Sequence, residues 1–400
     1  MTLFQPNFPS RANAYGLDLS CIKIWGWLKG TWRDECDISD ITQFLKILVL
    51  NRPSLEAKST NFASQVFEAL EYAINTRFVN SLANTLSNIS AHYDLGNDMF
   101  TQILDPTLTY SCPIWEECEV IGSSSSTRCS TPNTIQLNDE FLALERAQLR
   151  KIHTIIKKAK LVESDHLLEI GSGWGSLSIE AVRQSGCRVT TLTLSTEQKA
   201  LAETKICEAG FSDRISVVLM DYRKVHELGI LFDKIISIEM LEAVGKEYIQ
   251  TYFETCSNVL KRDGGIMVFQ CITIHEPLYY NYCRQVEFIQ KYIFPGGHLP
   301  TITVLANAIN QGSKGSLIIN EVTNIGAHYI RALRLWREKF DANFSSIEKH
   351  DPERYTPQFK RTWDYYFSYC EAGFAMHCLG DVIAVLTRQN NLSIADGVPV

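Results

Sequence analysis

The sequence predicts an α/β fold whose mostly parallel sheet is connected by right-handed crossovers. Between residues 165 and 275, short apolar runs alternate with segments of helical periodicity. Strands separated by helices in this way are typical of a parallel sheet. The run at 167–170 ends in glycines at alternate positions, Gly171, Gly173 and Gly175. Because glycine allows a tight turn and a close approach, such a unit presents backbone N–H groups to a ligand.

The elements of this core follow in order from the periodicity and the turn residues. The predicted strands are 166–170, 188–193, 215–219, 233–238 and 265–271. The predicted helices are 138–161, 176–185, 196–209 and 246–261. Gly264 and Gly265 favour a turn from the last of these helices into the fifth strand. The middle of the chain is therefore expected to consist of consecutive βαβ units.

The segments that flank the core are expected to add helices to it. The sequence predicts a helical N-terminal region over residues 1–85 and the main domain over residues 86–390. Aromatic residues accumulate within 276–345, which indicates helices inserted as a lid over the carboxyl edge of the sheet. About half of the aromatic residues after 275 are expected to belong to the core. Residues 391–400 are polar enough to predict a flexible tail.

The composition excludes several classes of protein. Hydrophobic residues make up 45% of the chain, charged residues 21%, and the net charge is −7, so nucleic acid is not an expected partner. The twelve cysteines contain no CxxC pair, so no metal site and no dithiol redox motif is expected. The apolar run at 47–50 is far shorter than the ~20 residues of a membrane span. A cytoplasmic protein without a transmembrane segment is therefore expected.

Basic residues on the predicted helix 138–161 leave two interpretations open. They could meet anionic phospholipid head groups and so bring the protein to a membrane surface. A solvated face is the other interpretation, since charge of this kind is common on surface helices. The residues concerned are Arg150, Lys151, Lys157, Lys158 and Lys160.

Several motifs, taken in order, make the chain resemble the cyclopropane-fatty-acid synthase family of S-adenosylmethionine (SAM) methyltransferases over roughly residues 85–388. The stretch at 288–300 is similar to the plant and fungal branch in particular. The other segments that carry the resemblance are His-Tyr-Asp-Leu-Gly-Asn at 92–97, Thr-Tyr-Ser-Cys at 109–112, Glu-Ile-Gly-Ser-Gly-Trp-Gly at 169–175, Leu-Thr-Leu-Ser-Thr-Glu-Gln at 192–198, Asp-Tyr-Arg at 221–223 and Glu-Met-Leu-Glu-Ala-Val-Gly at 239–245. The resemblance implies a Rossmann-like class I fold with a seven-stranded sheet.

The resemblance also implies the residues that bind SAM. The glycine turn, preceded by Glu169, would admit the methionine portion of the cofactor. Asp221 and Tyr222 would flank the adenine, and Tyr110 and Ser111 would close over the cofactor. Hydroxyl and amide groups after the second strand would take the place of an acidic ribose ligand; these belong to the segment Thr193, Leu194, Ser195 and Gln198.

The family reaction adds the SAM methyl group to a cis double bond in a phospholipid acyl chain, and loss of a proton then closes a ring. The resemblance implies bicarbonate as the base for that proton, with Cys112, Glu242, Ile272 and Tyr366 around it. Glu242 would share a proton with the bicarbonate and Tyr366 would donate to it. An unsaturated lipid at a membrane surface is the implied substrate, and a homodimer is a candidate assembly.

Two positions depart from the bacterial pattern. Gln270 stands where the bacterial enzymes have a histidine, and a glutamine can donate a hydrogen bond but cannot titrate. Ala243 replaces the histidine of the Glu-His-Val-Gly pattern. Both changes are similar to the plant and fungal branch. The product therefore stays open among a cyclopropane, a methyl branch and a methylene branch.

The sequence leaves two further hypotheses open. The same fold could serve a small-molecule N- or C-methyltransferase of secondary metabolism, for which an amine acceptor needs neither a carbocation nor bicarbonate. A SAM- or lipid-binding protein without activity is the other. Cys112 and Tyr366 also have plain structural interpretations, as a small buried residue and a core aromatic.

Overall fold

The computed structural model describes residues 38–51, 96–116, 134–284 and 287–395. Most of the predicted N-terminal region therefore lies outside the described residues, as do positions 92–95 of the first motif and positions 396–400 of the predicted tail. Within 38–51, Ile41–Leu50 forms helix α1, which begins where the side chain of Asp40 accepts a hydrogen bond from the Gln43 N–H.

The predicted seven-stranded, mostly parallel sheet is confirmed. Its strands run in the order β3-β2-β1-β4-β5-β7-β6. All have the same direction except β7, which is antiparallel to its neighbours β5 and β6. All five strands predicted from periodicity are present. The strands are β1 His166–Ile170, β2 Arg188–Thr193, β3 Ile215–Leu219, β4 Lys234–Ile238, β5 Ile266–Ile274, β6 Ile318–Asn324 and β7 Leu379–Thr387.

The helices cover the two faces of the sheet, and each predicted helix of the core is present. The helix predicted at 176–185 has the predicted ends, and the others have shifted ends. One difference concerns 246–261, where a 3-10 turn at Lys246–Tyr248 precedes the α-helix. After α1, the described α-helices are α2 Gly96–Ile103, α3 Thr134–Ala159, α4 Ser176–Ser185, α5 Thr196–Glu208, α6 Ile249–Val259, α7 Glu276–Tyr282, α8 Phe288–Tyr292, α9 Ile302–Gly312, α10 Tyr329–His350 and α11 Pro357–Ala375.

The strand order reverses between β1 and β4, because the chain winds outward from β1 through β2 to β3 and then returns to the other side of β1. Such a switch point leaves a crevice beyond the carboxyl ends of the strands, where doubly wound sheets bind ligands. The Gly-rich turn after β1 lies at this crevice. The fold therefore places the predicted cofactor motif at the expected edge.

The segment 276–345, predicted as a lid of helices, also contains a strand of the central sheet. It holds α7, α8, α9 and the beginning of α10, but β6 pairs along β7 at the end of the sheet. Most of β6 is exposed, so its sequence lacks the apolar run that marks the buried strands. Among the later aromatic residues, Trp336, Phe340 and Phe367 are fully buried, as a core position requires.

Much of the basic surface of α3 and of the turn that follows it is engaged within the fold. Lys158 pairs with Glu321 on β6, and Lys160 donates to the carbonyl oxygens of Ser393 and Ile394. The latter contacts hold a short 3-10 helix, Leu392–Ala395, against the domain. Among the residues that the structure describes, no helix combines the length and apolar character needed to cross a membrane.

Candidate active site

A cleft opens at the carboxyl ends of β1, β2 and β4, at the switch point of the sheet. Nine of the twelve residues predicted to bind the cofactor line it. These are Tyr110, Ser111, Glu169, Gly171, Gly173, Thr193, Leu194, Gln198 and Tyr222. The other three, Gly175, Ser195 and Asp221, are chain neighbours of lining residues.

The glycine turn requires glycine at all three positions. The backbone φ values are 96° at Gly171, 47° at Gly173 and 89° at Gly175. Residues other than glycine rarely adopt these values. A Cβ on Gly175 would lie 3.4 Å from the Cβ of Ala202 on α5, which is an ordinary van der Waals distance, so the backbone conformation and not the space favours glycine there. A Cβ on Gly173 would meet no protein atom within 4 Å, so that space is left to the cleft. The turn therefore fits a ligand that approaches the backbone.

The wall after β2 is a small network of hydroxyl and amide groups. Thr193 Oγ1 donates to Gln198 Oε1 at 3.0 Å, and both residues line the cleft. The hydroxyl of Ser195 caps α5 by accepting from the Gln198 N–H at 3.1 Å. Ser195 thus acts on the cleft by positioning Gln198.

The wall after β3 separates the roles predicted for Asp221 and Tyr222. Asp221 accepts from the Arg223 side chain at 2.9 Å and forms an ion pair with it, so its carboxylate already has a partner in the protein. The ring of Tyr222 lines the cleft and packs edge-on against Tyr252, with 5.3 Å between ring centroids. Tyr222 can therefore offer an aromatic face to a bound base.

Residues 108–112 form a strap that crosses the cleft from the N-terminal side. Lys151 Nζ donates to Ser111 Oγ at 2.7 Å, and Gln148 Nε2 donates to the Ser111 carbonyl at 2.8 Å. The Tyr110 and Tyr366 hydroxyls are hydrogen-bonded at 2.8 Å. Lys151 is fully buried, and burial lowers the pKa of its ammonium to about 8. The strap is therefore held in place by a hydrogen bond from a buried cation, the Lys151 ammonium.

The motif at 92–97 reaches the glycine turn through its last residue. Asn97 Oδ1 accepts from the indole N–H of Trp174 at 2.8 Å, and Asn97 Nδ2 donates to the Glu197 carbonyl at 3.4 Å. Trp174 belongs to the turn and Glu197 to the first turn of α5. The motif therefore ties α2 to the loop that shapes the cofactor side of the cleft.

At the inner end of the cleft, Glu239 gathers donors from three separate parts of the chain. It accepts from the Cys112 N–H at 2.8 Å and from Gln270 Nε2 at 2.8 Å, and the Tyr329 hydroxyl also donates to it. Gln270 Nε2 donates in addition to Asp381 Oδ2 at 2.7 Å. Burial raises the pKa of both carboxyl groups. One glutamine amide therefore joins two buried carboxyl groups.

Glu242 lies beside this pair, in the 3-10 turn after β4. Its Oε1 accepts from the Ile272 N–H at 2.5 Å, whereas its Oε2 is buried and accepts from no N–H or O–H of the described residues. Burial first, and the nearby charge of Glu239 second, raise the pKa of Glu242 to about 8. We call Glu239, Glu242 and Asp381 the carboxyl cluster.

Four of the five predicted catalytic residues converge at this cluster, and one does not. The four are Cys112, Glu242, Gln270 and Ile272. Tyr366 instead bonds to Tyr110 at the strap, and Tyr329 supplies the tyrosine that contacts the cluster.

Three residues of the site were missed by reasoning from the sequence, namely Glu239 as a member of the cluster, Asp381 and Tyr329. A carboxylate in the apolar run of β7 was the available signal for Asp381. Tyr329 is one of 16 tyrosines and carries no local signal.

Comparison with known proteins finds relatives over most of the described chain. The family described as mycolic acid cyclopropane synthetase matches residues 80–383. Tuberculostearic acid methyltransferase UfaA1 of Mycobacterium tuberculosis is 36% identical over 289 residues, which cover 72% of this chain and 61% of that protein. Cyclopropane-fatty-acyl-phospholipid synthase of Escherichia coli K12 is 31% identical over 306 residues, which cover 76% and 69%. The chain thus spans less than two thirds of the length of the Mycobacterium tuberculosis protein and slightly more than two thirds of the length of the Escherichia coli protein.

A solved structure extends the comparison to three dimensions. Mycolic acid cyclopropane synthase CmaA1 complexed with SAH and CTAB aligns with a TM-score of 0.63 and 26% identity, over 75% of this chain and 97% of that one. The relative therefore shares the overall fold over three quarters of this chain.

Proposed function

Because this chain belongs to the mycolic acid cyclopropane synthetase family, we propose that it is a SAM-dependent methyltransferase that adds one carbon to the cis double bond of unsaturated phospholipid acyl chains. The observation that carries this proposal is the junction of the cleft with the carboxyl cluster, since Glu239 belongs to both. An alkene is a poor nucleophile. A buried site that holds donor and acceptor in position therefore supplies much of the rate.

The cleft fits SAM, which supplies an electrophilic methyl group when bound. Gly171 and Gly173 leave the backbone open to the amino-acid portion, and no protein atom occupies the space in front of Gly173. Thr193 and Gln198 offer hydroxyl and amide groups to the ribose, and Tyr222 offers its ring to the adenine. A solved relative that holds SAH, the demethylated form of this cofactor, supports the assignment.

The carboxyl cluster fits a small oxyanion such as bicarbonate beside Glu242. The buried Oε2 of Glu242 calls for a polar partner, because an unsatisfied buried oxygen is costly. With a pKa raised to about 8, Glu242 keeps a proton near neutral pH and can donate it to an anion. Bicarbonate held there would supply the base, while Cys112 and Ile272 would form the walls around it.

The lid segment supports a proposal for how the protein meets lipid. Tyr280 is 67% exposed and Tyr292 39% exposed, and each ring lies under a basic side chain, Arg284 and Lys291 respectively. Tyrosine and basic residues together are typical of surfaces that lie at a bilayer interface. We propose that this face of α7 and α8 contacts the membrane and that the segment 276–345 covers the acyl chain.

The same segment connects that face to the carboxyl cluster through His298. The hydroxyl of Tyr279 on α7 lies 3.1 Å from His298 Nε2, and the His298 backbone N–H donates to the Glu242 carbonyl at 2.9 Å. Burial lowers the pKa of the His298 imidazole to about 4, so the ring is neutral near pH 7. The turn that carries Glu242 is therefore attached to the proposed lipid-facing helix, which suits an acyl chain that passes from the surface to the base site.

The proposed homodimer has a candidate surface on β6. This strand lies at the end of the sheet, and Ile318, Ile319 and Val322 are exposed on it. Exposed apolar edge strands favour pairing with another strand. A Val322→Lys substitution is expected to reduce the molar mass in solution from that of a dimer to that of a monomer, as measured by light scattering.

The proposed function is tested by lipid mass spectrometry of a bacterium that expresses the chain or its Glu242→Gln variant. Monounsaturated acyl chains are expected to gain the mass of one methylene with the wild type and to lose this gain with the variant. SAM binding by both proteins, measured by calorimetry, is the control for folding. Unchanged lipids together with methylation of a soluble amine would replace the proposal with the small-molecule alternative.

A further inference from the structure

Asp381 is a carboxylate placed in the middle of a sheet. It lies on β7 opposite Ile272 of β5 and is fully buried. Its Oδ2 accepts from Gln270 Nε2, and its Oδ1 accepts from no N–H or O–H of the described residues. A charged residue in this position is costly unless it is paired or neutralised, because burial removes its hydration.

Gln270 ties Asp381 to Glu239 and gives the two carboxyl groups unequal surroundings. Glu239 has three donors, which are the Cys112 N–H, Gln270 Nε2 and the Tyr329 hydroxyl. Among the N–H and O–H groups of the described residues, Asp381 has the Gln270 donor alone, with the weakly donating Cys112 thiol beside it. Two buried carboxyl groups this close cannot both ionise at low cost, and the one with more donors keeps the charge. The charge therefore belongs on Glu239 and the proton on Asp381.

We propose that Asp381 is a positioning residue, which carries a proton and donates it in a hydrogen bond to Glu239, so that this pair holds a single negative charge at the cleft. The inference rests on the proposed function and deepens it. No proton leaves the pair in this role, since Asp381 acts by fixing Gln270 and Glu239.

The groups around the pair favour one negative charge over two. Lys151 is a buried cation that faces the cluster, and its charge balances one carboxylate. An ionised Asp381 would add a second anion beside Glu242. Burial first, and the charge of Glu239 second, raise the pKa of Asp381, and the hydrogen bond between the two carboxyl groups acts in the same direction. The titratable groups that face the pair from the neighbouring elements are Cys112, Lys151, Glu242, Cys271, Tyr329 and Tyr366.

The test compares Asp381→Asn and Asp381→Leu variants of the full chain. An asparagine amide can donate to Glu239 as a protonated acid does, whereas leucine can neither donate to Glu239 nor accept from Gln270. Asp381→Asn is expected to keep activity within about threefold of the wild type, and Asp381→Leu to lose about tenfold or more. The wild type is expected to lose kcat at alkaline pH, as Asp381 ionises, and Asp381→Asn to lose less.

Infrared spectroscopy provides a readout that does not depend on turnover. At neutral pH the wild type is expected to show, beside the band of protonated Glu242, the carbonyl band of a second protonated carboxylic acid that shifts in D2O. Asp381→Asn is expected to lack this second band. Asp105→Asn, which removes a buried carboxyl group outside the cluster, is the matched control and is expected to keep it.

Two results would overturn the inference. One is a wild-type spectrum at neutral pH from which Asp381→Asn removes no acid band. The other is an Asp381→Asn variant as inactive as Asp381→Leu, which would assign the ionised carboxylate to the reaction. If the acid band is present but no lipid is methylated, the proton assignment stands and the proposed function fails, so the two failures are distinguishable.

Discussion

The Lys151 ammonium donates a 2.7 Å hydrogen bond to the Ser111 hydroxyl, and both side chains are buried where the strap crosses the cleft. This contact joins the cofactor side of the site to the carboxyl cluster, because the charge of Lys151 also acts on Glu239 and Asp381. A buried cation without an anion nearby would be strongly destabilising. The strap and the cluster therefore depend on each other electrostatically.

Replacing Lys151 is the first test of that dependence. Lys151→Met keeps the length of the side chain but removes the charge, and it leaves Glu239 without its cation. We expect the free energy of unfolding to fall by about 3 kcal/mol, within the range for breaking a buried pair. Lys158→Met, which removes a partly exposed pair with Glu321, is the control and should cost about 1 kcal/mol or less. Urea denaturation measures both, and equal losses would contradict the electrostatic role.

The pH dependence of stability tests the protonation of Glu242. Its pKa is raised from 4.5 to about 8, so the folded protein holds a proton that the unfolded chain releases. Stability from this group is present below pH 4.5 and is lost as the pH rises through about 8. The wild type should therefore lose stability relative to Glu242→Gln across that interval, measured by urea denaturation, with Glu203→Gln on the surface as control. Parallel curves for all three proteins would count against a protonated Glu242.

The glycine turn offers a matched test of cofactor binding. Gly173 and Gly210 both have positive φ, and a Cβ on either meets no protein atom within 4 Å. Valine at either position should therefore cost a similar backbone strain, about 1–2 kcal/mol. Only Gly173 of this pair lines the cleft, so Gly173→Val alone should weaken SAM binding, by about tenfold or more. Calorimetric titration with SAM measures the affinity of each variant. Equal affinities of the two variants would show that SAM binds elsewhere.

Local patterns were sufficient to predict most of the fold, but strands β6 and β7 and the pairing of residues far apart in the chain were not predicted from them. The βαβ units from β1 to β5 follow from short-range periodicity, and the glycine turn is a local constraint on φ. Edge strand β6 was not predicted, because an exposed strand lacks the apolar run on which strand prediction depends. Asp381 reaches Gln270 across 111 positions and Tyr329 reaches Glu239 across 90, so no local spacing could have paired them.

The two candidate tyrosines provide the last prediction. The resemblance assigns the donor at the base site to Tyr366, but the Tyr329 hydroxyl is the one that contacts the carboxyl cluster, through Glu239. Tyr329→Phe deletes a donor to a buried charge, which is worth about 2 kcal/mol, so kcat should fall by about tenfold or more.

Tyr366→Phe is the matched control, since it also deletes one hydroxyl from a buried ring and leaves Tyr110 as its neighbour. Its smaller loss of a neutral hydrogen bond should appear mainly as weaker cofactor binding, because Tyr110 lines the cleft. Steady-state kinetics on vesicles of monounsaturated phospholipid separate the two effects. A larger fall in kcat for Tyr366→Phe than for Tyr329→Phe would return the role to Tyr366 and indicate that the strap moves toward the cluster during the reaction.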